Sequence, residues 1–195
     1  MEAATKLLSL KGFKDSTMTE LAKITGVAHG TIFYHYNSKE ALFISILEEI
    51  KNEFIREFEG YLSTKHFNSG LEMMEDVVRF YLRLADSLED RFLLLHRHDA
   101  YELAKANPAC RDCLESIYNC LVDIFEQAIL VGQKDGSIVE LSARKTALIL
   151  FTMVDGLVRF NTYNLYDAGA LYDNLIFSIG KILKSSNSTG RIGAC

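Results

Sequence analysis

A single proline, Pro108, interrupts a chain of 195 residues. Because proline is the residue that most strongly breaks a helix, its scarcity leaves long stretches free to become helical. Apolar residues recur at helical spacing through most of these stretches, and no strand-like alternation or internal repeat is visible. We therefore predict an all-α fold.

The composition is that of a globular protein, with 49% hydrophobic and 24% charged residues. Uninterrupted apolar runs stop after four or five residues, far short of the ~20 that a membrane-spanning helix needs. The first residues lack the basic start and unbroken apolar stretch of a secretory signal. We therefore expect a cytoplasmic protein that does not bind a membrane.

Charge divides the chain into two unequal parts. Residues 1–47 hold five of the 21 basic residues and four of the 26 acidic ones, a balance of +1, which leaves −6 for the remainder. An acidic surface repels polyanions, so a contact with nucleic acid would have to come through residues 1–47.

Turn and capping signals set the expected helix boundaries. Thr17-Met18-Thr19-Glu20 has the spacing of a capping box, Gly26 ends the helix that follows, and Asn37-Ser38 can cap a long helix from Lys39. The predicted helices cover residues 2–10, 18–25, 28–36, 39–63, 70–88, 90–104, 109–131, 142–165 and 168–184, with Gly132 and the turn signal Lys134-Asp135-Gly136-Ser137 closing the seventh. We predict a three-helix head at 1–47 and a larger helical domain at 48–195, with a flexible tail at 185–195.

The segment 17–36 has the anatomy of a helix-turn-helix. A capped helix is followed by a tight turn at Gly26, and Val27 and Ile32 are placed to fill the space between the two helices. In this motif the second helix enters the major groove of DNA, and its N-terminal residues meet the edges of the bases. The residues in that position are His29, Gly30 and Thr31.

The run from Gly30 to Leu42 resembles the sequence of one known family. Together with Gly12-Phe13, Ser16-Thr17-Met18, Leu21-Ala22 and Gly26-Val27, it is similar to the TetR/AcrR family of bacterial transcriptional regulators over residues 3–47. The resemblance implies a DNA-binding surface that comprises Thr17, His29, Gly30, Thr31, Phe33, Tyr34, His35 and Lys39. The family usually has a tyrosine where this chain has Phe33, so the neighbouring Tyr34 would have to supply that hydroxyl group. We expect Thr31→Ala and Lys39→Ala to weaken operator binding with little loss of thermal stability.

The same resemblance implies a ligand-sensing, dimer-forming body. Helices 142–165 and 168–184 would pair with their copies in a homodimer, which would read a palindromic operator as a repressor and leave it when a small molecule binds. The effector is expected to be apolar or aromatic, since aromatic residues dominate the candidate pocket. Its predicted lining is Phe58, Tyr61, Tyr81, Phe92, His96, Tyr118, Phe125 and Phe151.

Three cysteines leave an alternative open. Cys110, Cys113 and Cys120 share the apolar stripe of one predicted helix, as buried thiols do, but a thiol- or metal-responsive regulator would also use such a stripe. A second alternative is a helical binding protein or enzyme whose head no longer binds DNA. Because no nucleophile elbow, phosphate loop or zinc motif is present, we predict no enzyme activity, no metal site and no cofactor.

Overall fold

The protein is described here by a computed structural model that covers residues 1–26 and 29–184, without the side chains of residues 29, 32 and 33. Within these ranges every regular element is a helix, which confirms the predicted all-α fold. The predicted plugs Val27 and Ile32 and the predicted flexible tail 185–195 lie outside the described residues or side chains. None of the described helices is long and apolar enough to span a bilayer.

The first three helices form the head: α1 (Glu2–Lys11), α2 (Met18–Thr25) and α3 (His29–His35). The predicted capping box at the start of α2 is confirmed, because the Thr17 side chain accepts from the Glu20 amide while the Glu20 carboxylate accepts from the Thr17 amide. Gly26 ends α2 in the left-handed region, at φ 69°, where a residue with a Cβ is strained.

Helix α4 (Lys39–Ser63) joins the head to the rest of the chain. Its first turn is capped as predicted, since the Ser38 hydroxyl accepts from the Ala41 amide at 3.1 Å. Apolar side chains recur every three or four residues along α4 and are fully buried, which fixes its inner face. The predicted domain boundary at residue 47 falls within this continuous helix.

The body is built around α8 (Pro108–Asp135), which packs against α4, against α5 (Gly70–Ser87) and against α9 (Ala143–Thr162). Asn107 caps α8 through its side chain, and Pro108 stands at the first helical position, where no amide donor is needed. The chain closes with a 3₁₀-helix (Ala168–Leu171) and α10 (Tyr172–Leu183), which lies against α5.

The helix predicted at 90–104 is wrong as a single element. The structure has α6 (Glu89–His96) and α7 (His98–Ala106), separated by Arg97 in an extended conformation with ψ 139°. The Arg97 side chain reaches back to the carbonyl oxygens of Ser9 and Leu10 on α1. A contact this distant in sequence leaves no local signal in the residues around the break.

Of the two signals predicted to close α8, the turn at residues 134–137 is confirmed and Gly132 is wrong. The helix continues to Asp135 and stops at Gly136, which has φ 80°. The close approach of α5 depends on Gly70, because a Cβ on Gly70 would stand 2.0 Å from the Gly132 nitrogen. A Cβ on Gly132 would stand 2.4 Å from Cδ1 of Ile138. Gly132 is therefore required by the packing of Ile138 and not by helix termination.

The last two predicted helices are shorter in the structure. After α9 ends at Thr162, the backbone passes through left-handed conformations at Asn164, Tyr166 and Asp167, which no α-helix tolerates. The turn after them is 3₁₀, so α10 begins at Tyr172 instead of residue 168.

Candidate nucleic-acid interface and effector site

The described side chains of α3 that were predicted to meet DNA are exposed. Gly30, Thr31, Tyr34 and His35 are all solvent-accessible, and Tyr34 is 84% exposed. At about 100° per residue, these four positions span roughly 140° of the helix surface, which is a single face. The predictions for His29 and Phe33 concern side chains outside the described part of the chain.

Thr17 lies at the entrance of α2 and is exposed, as a DNA contact requires. Its hydroxyl is also part of the cap, since it accepts from the Glu20 amide at 3.2 Å. Hydrogen bonds from Lys11 and Thr17 lower the pKa of the Glu20 carboxyl. The cap therefore holds the first turn of α2, and Thr17 with it, in a fixed orientation.

Lys39 binds the head itself. Its ammonium donates to the carbonyl oxygens of Phe13 at 2.6 Å and Ser16 at 2.8 Å, and it lies 4.4 Å from the centre of the Phe13 ring. These contacts fasten the start of α4 to the loop between α1 and α2. The structure thus differs from the expectation that Lys39 can be removed at little cost in stability.

An arginine–aspartate pair joins the head to the body at the break between α6 and α7. Arg97 donates to the carbonyl oxygens of Ser9 at 2.9 Å and Leu10 at 3.2 Å, and its Nε donates to Asp99. Asp99 in turn accepts from the backbone amide of Phe13. We call Arg97 and Asp99 the junction clamp, and sequence reasoning did not find it.

The predicted pocket aromatics are packed against one another in the core of the body. The rings of Phe54 and Phe92 stack at 5.0 Å, and Phe151 meets the edges or faces of Tyr81, Tyr118 and Phe125 at centroid distances of 5.7 to 6.1 Å. Two further predicted residues lie on the neighbouring side of α4, where Phe58 contacts Phe80 and Tyr61 stacks on it.

A buried polar cluster stands at the edge of this aromatic core. Asp155 accepts hydrogen bonds from the Tyr81 hydroxyl at 2.6 Å and from His96 Nε2 at 3.1 Å. Burial, and next the Asp155 carboxylate, raise the pKa of Tyr81, so its phenol remains a donor. His96 is 2% exposed, and its Nδ1 has no hydrogen-bond partner. A charged residue in the apolar stretch 142–165 was the signal that could have identified Asp155.

A groove lies beside this cluster, between α7 and α8. It has a volume of about 260 Å³ and mainly apolar walls, with Tyr101 and Tyr118 among its lining residues. The hydroxyls of these two tyrosines share a hydrogen bond of 2.6 Å. Burial raises the pKa of Tyr118, with Tyr101 and Asp155 adding to the effect. The Tyr118 ring contacts Phe151, which also contacts Tyr81 of the polar cluster. The basic residues Lys105 and Arg111 and one acid, Glu115, also line the groove.

The cysteines have the properties of packed thiols. Cys110 and Cys113 are buried, and burial raises the pKa of Cys110 and of Cys120 to about 11. Among the described residues no group of three or more His, Cys, Asp or Glu side chains could hold a metal ion. The alternative of a thiol- or metal-responsive regulator therefore finds no support in the geometry.

The outer surfaces of α9 and α10 are apolar and uncovered. Ile149 is 61% and Phe177 67% exposed, and several other large apolar side chains on the two helices are more than a third exposed. Between the helices runs a groove of about 470 Å³, and Gly156 forms part of its wall. Apolar surface of this extent is typical of a protein interface.

Comparison with known proteins agrees with the architecture. Residues 1–46 match the model of bacterial regulatory proteins of the tetR family. The fatty acid metabolism regulator protein of Bacillus subtilis is 25% identical over 179 residues, which cover 90% of this chain and 89% of that protein.

Two solved structures have the same fold. The transcriptional regulator FadR from Bacillus subtilis, in complex with stearoyl-CoA, superposes with a TM-score of 0.76 at 23% identity over 93% of this chain and 96% of its own. A regulator from Saccharomonospora viridis in complex with choline gives 0.81 at 21% identity over 94% and 95%. Residues 1–46 are thus similar to the DNA-binding head of the tetR family of bacterial regulatory proteins, and the chain as a whole shares the fold of regulators of this kind.

Proposed function

We propose that this regulator is a repressor that binds a palindromic operator as a homodimer and leaves it when a small amphipathic molecule binds to the body. The observation that carries the proposal is the exposed face of α3, where Gly30, Thr31, Tyr34 and His35 stand together on a head that matches the family model. We propose no catalytic activity, because the sequence contains no catalytic motif.

In the proposed complex α3 lies in the major groove. His29, Gly30 and Thr31 face the bases, because they occupy the N-terminal end of the recognition helix. Thr17, Tyr34 and His35 donate to phosphate oxygens and fix the register. Lys39 acts by holding the start of α4, whose amides point toward a phosphate.

The proposed dimer forms through the outer faces of α9 and α10. Exposed apolar side chains on these helices would be buried if two chains packed together. In a dimer with two-fold symmetry, each chain would use the same surface for this contact. Gly156 has no atom within 4 Å of the position of a Cβ, which leaves room for a partner helix to approach.

The proposed effector enters the groove between α7 and α8. Its apolar chain would contact Leu114 and the two tyrosines, and an anionic head group would be attracted to Lys105 and Arg111 at the rim. Long-chain acyl thioesters of coenzyme A have this division of properties. FadR from Bacillus subtilis, which has the same fold, binds such a compound.

The junction clamp offers a route from the effector to the head. His96 belongs to the polar cluster, and the next residue, Arg97, holds α1. An effector that moves the end of α6 would therefore alter the tilt of the head. A difference of ~1–3 kcal/mol in effector affinity between the two tilts gives a 5- to 150-fold change in operator affinity.

Titration of the protein with DNA from its own promoter region tests the DNA-binding part of the proposal. Fluorescence anisotropy should show saturable binding that weakens steeply with salt, because a dimer neutralises several phosphates. Thr31→Ala should weaken it by about tenfold. Thr64→Ala, on an exposed turn at the end of α4, is the matched control and should have no effect. Salt-insensitive binding, or equal affinity of both variants, would contradict the proposal.

Palmitoyl-CoA, free coenzyme A and palmitate test the effector class. Only the first combines a long apolar chain with a multiply charged head, so it alone should release the operator at micromolar concentration. Arg111→Gln should raise the concentration required, while Arg56→Gln, on the exposed face of α4, should leave it unchanged. If all three compounds fail while operator binding persists, the acyl class is wrong and the DNA-binding role stands.

A further inference from the structure

A further cavity, separate from the two grooves described above, lies on the outer side of the body between α5, the 3₁₀-helix and α10. It has a volume of about 300 Å³, which is at the lower end of the size of ligand sites. Its lining residues are Arg79, Leu82, Arg83, Asp86, Gly169, Tyr172, Asp173 and Ile176. None of them belongs to the proposed DNA, dimer or effector surfaces.

The cavity contains a hydroxyl group without a partner. The Tyr172 Oη atom is buried and makes no hydrogen bond within the described part of the chain. Burial raises the pKa of Tyr172 to about 12, and the nearby Asp86 carboxylate adds to the effect. The phenol therefore stays protonated, with both a donor and acceptor positions unused. Buried polar groups in folded proteins are usually paired, so this exception asks for an explanation.

One cation of the cavity also lacks a counterion. Arg83 donates to the Tyr61 hydroxyl at 3.0 Å and lies over the Tyr61 and Phe80 rings. Among the ion pairs of the described residues, none includes Arg83. Arg83 also lines the cavity, as does Asp86 three residues later on the same helix, and the two side chains do not form an ion pair with each other.

One carboxylate of the cavity is in the complementary situation. Asp86 accepts a hydrogen bond from the Asn161 amide at 3.1 Å and has no basic side chain within ion-pair distance among the described residues. Partial burial, and next the charge of Glu89, raise the pKa of Asp86. A cation beside Asp86 would oppose both effects by stabilising the ionised carboxylate.

The remaining charges of the cavity neutralise each other. Arg79 on α5 and Asp173 on α10 form an ion pair of 3.0 Å. This pair connects the two helices, while Leu82 and Ile176 provide apolar wall. The cavity thus presents one unpaired positive group, one unpaired negative group, a free phenol and an apolar surface.

We propose that this cavity binds a small zwitterion with an apolar side chain, namely a free amino acid. Its carboxylate would bind Arg83, its ammonium group Asp86, and Tyr172 would donate to or accept from either group. Neither an anion nor a cation alone satisfies both unpaired charges, which is why the zwitterion is favoured over each.

The site remains open in the proposed dimer. Tyr172 and Ile176 lie on the face of α10 that looks toward α5, whereas Leu171, Leu175 and Ser178 line the groove of the dimer face. At about 100° per residue the two sets of positions point about 110° apart, so they lie on different faces. A bound amino acid would bridge α5 to α10 and stiffen a helix of the dimer interface, without contact to the partner.

Equilibrium dialysis with three matched compounds tests the proposal: L-leucine, 3-methylbutylamine, which lacks the carboxylate, and 4-methylpentanoate, which lacks the amine. Leucine should bind the full chain with a dissociation constant of about a millimolar or lower, and each analogue about tenfold more weakly. Failure of leucine to bind at ~10 mM, or equal binding of an analogue, would overturn the proposal.

Three variants locate the binding within the cavity. Arg83→Gln and Asp86→Asn should each weaken leucine binding by about tenfold or more, and Tyr172→Phe by a smaller factor. Tyr172→Phe should leave the thermal midpoint unchanged or raised, since the hydroxyl has no hydrogen bond to lose. Arg56→Gln is the control for the loss of one positive charge. Leucine binding that survives all three cavity variants would place the amino acid elsewhere and reject the site.

Discussion

The guanidinium of Arg97 donates a hydrogen bond to the carbonyl oxygen of Ser9 with 2.9 Å between the two atoms. This contact joins the body to the last turn of α1, and Arg97 also bonds the carbonyl of Leu10. The residue before Arg97 in the chain belongs to the buried polar cluster with Asp155. The junction therefore has one end in the proposed effector region and the other in the head.

Arg97→Met should uncouple the effector from DNA. The methionine keeps an unbranched apolar stem but cannot donate to the α1 carbonyls, so movement of α6 is no longer passed to the head. We expect operator affinity within about threefold of the original and a loss of about fivefold or more in the release caused by palmitoyl-CoA. Anisotropy titrations with and without the compound measure both quantities.

Arg56→Met controls for removal of an arginine from the surface. A variant at position 97 that responds to the compound as the original protein does would contradict this role of the clamp. Loss of response together with normal binding of the compound by the body would support it, because binding and transmission are then separated.

Lys39→Ala and Thr31→Ala should separate stability from recognition. Lys39 bonds two backbone carbonyls of the head, and leaving them unpaired should lower the free energy of unfolding by about 1–3 kcal/mol. Thr31 is exposed, so its removal should change that free energy by less than about 0.5 kcal/mol. Urea unfolding and operator titration of both variants test this, and equal stability loss in the two would be inconsistent with the geometry.

Local sequence signals predicted much of the fold because they act over a few residues. The capping box at Thr17, the Ser38 cap and the helical spacing of α4 each involve neighbours along the chain, and all three are confirmed. The break at Arg97 and the close approach of Gly70 to α8 depend on residues of α1 and α8 that are far away in sequence. No pattern around either residue could have revealed them.

The same difference between local and long-range signals separates the two candidate sites. The exposed positions on α3 follow from the motif, because the order of residues on one helix fixes its faces. The cluster of Asp155, His96 and Tyr81 is assembled from three helices. The predicted pocket contained Tyr81 and His96, but no pattern along the chain indicated that Asp155 pairs with them.

Burial should make the thiols slow to react. The pKa of about 11 for Cys110 and Cys120 leaves roughly one thousandth of each thiol ionised at pH 8. In a Cys195→Ser background, iodoacetamide should therefore label the folded protein about a hundredfold more slowly than the urea-unfolded chain. Because a raised pKa favours the neutral thiol, the rate should climb about tenfold per pH unit between 8 and 10. Rapid labelling of the folded state would return the thiol-sensor alternative to consideration.

Gly156→Trp should dissociate the proposed dimer without unfolding the chain. The position of a Cβ on Gly156 is open within one chain, so the indole has space there and would enter the volume reserved for a partner helix. Gly60, on the exposed part of α4, has equally open space around it, which makes Gly60→Trp the matched control. Both variants should keep their helical circular dichroism, because tryptophan costs less than glycine within a helix. Sedimentation velocity should show a monomer for the first variant and a dimer for the second, with operator binding retained only by the second. Two dimeric variants would show that the exposed faces of α9 and α10 do not form the interface.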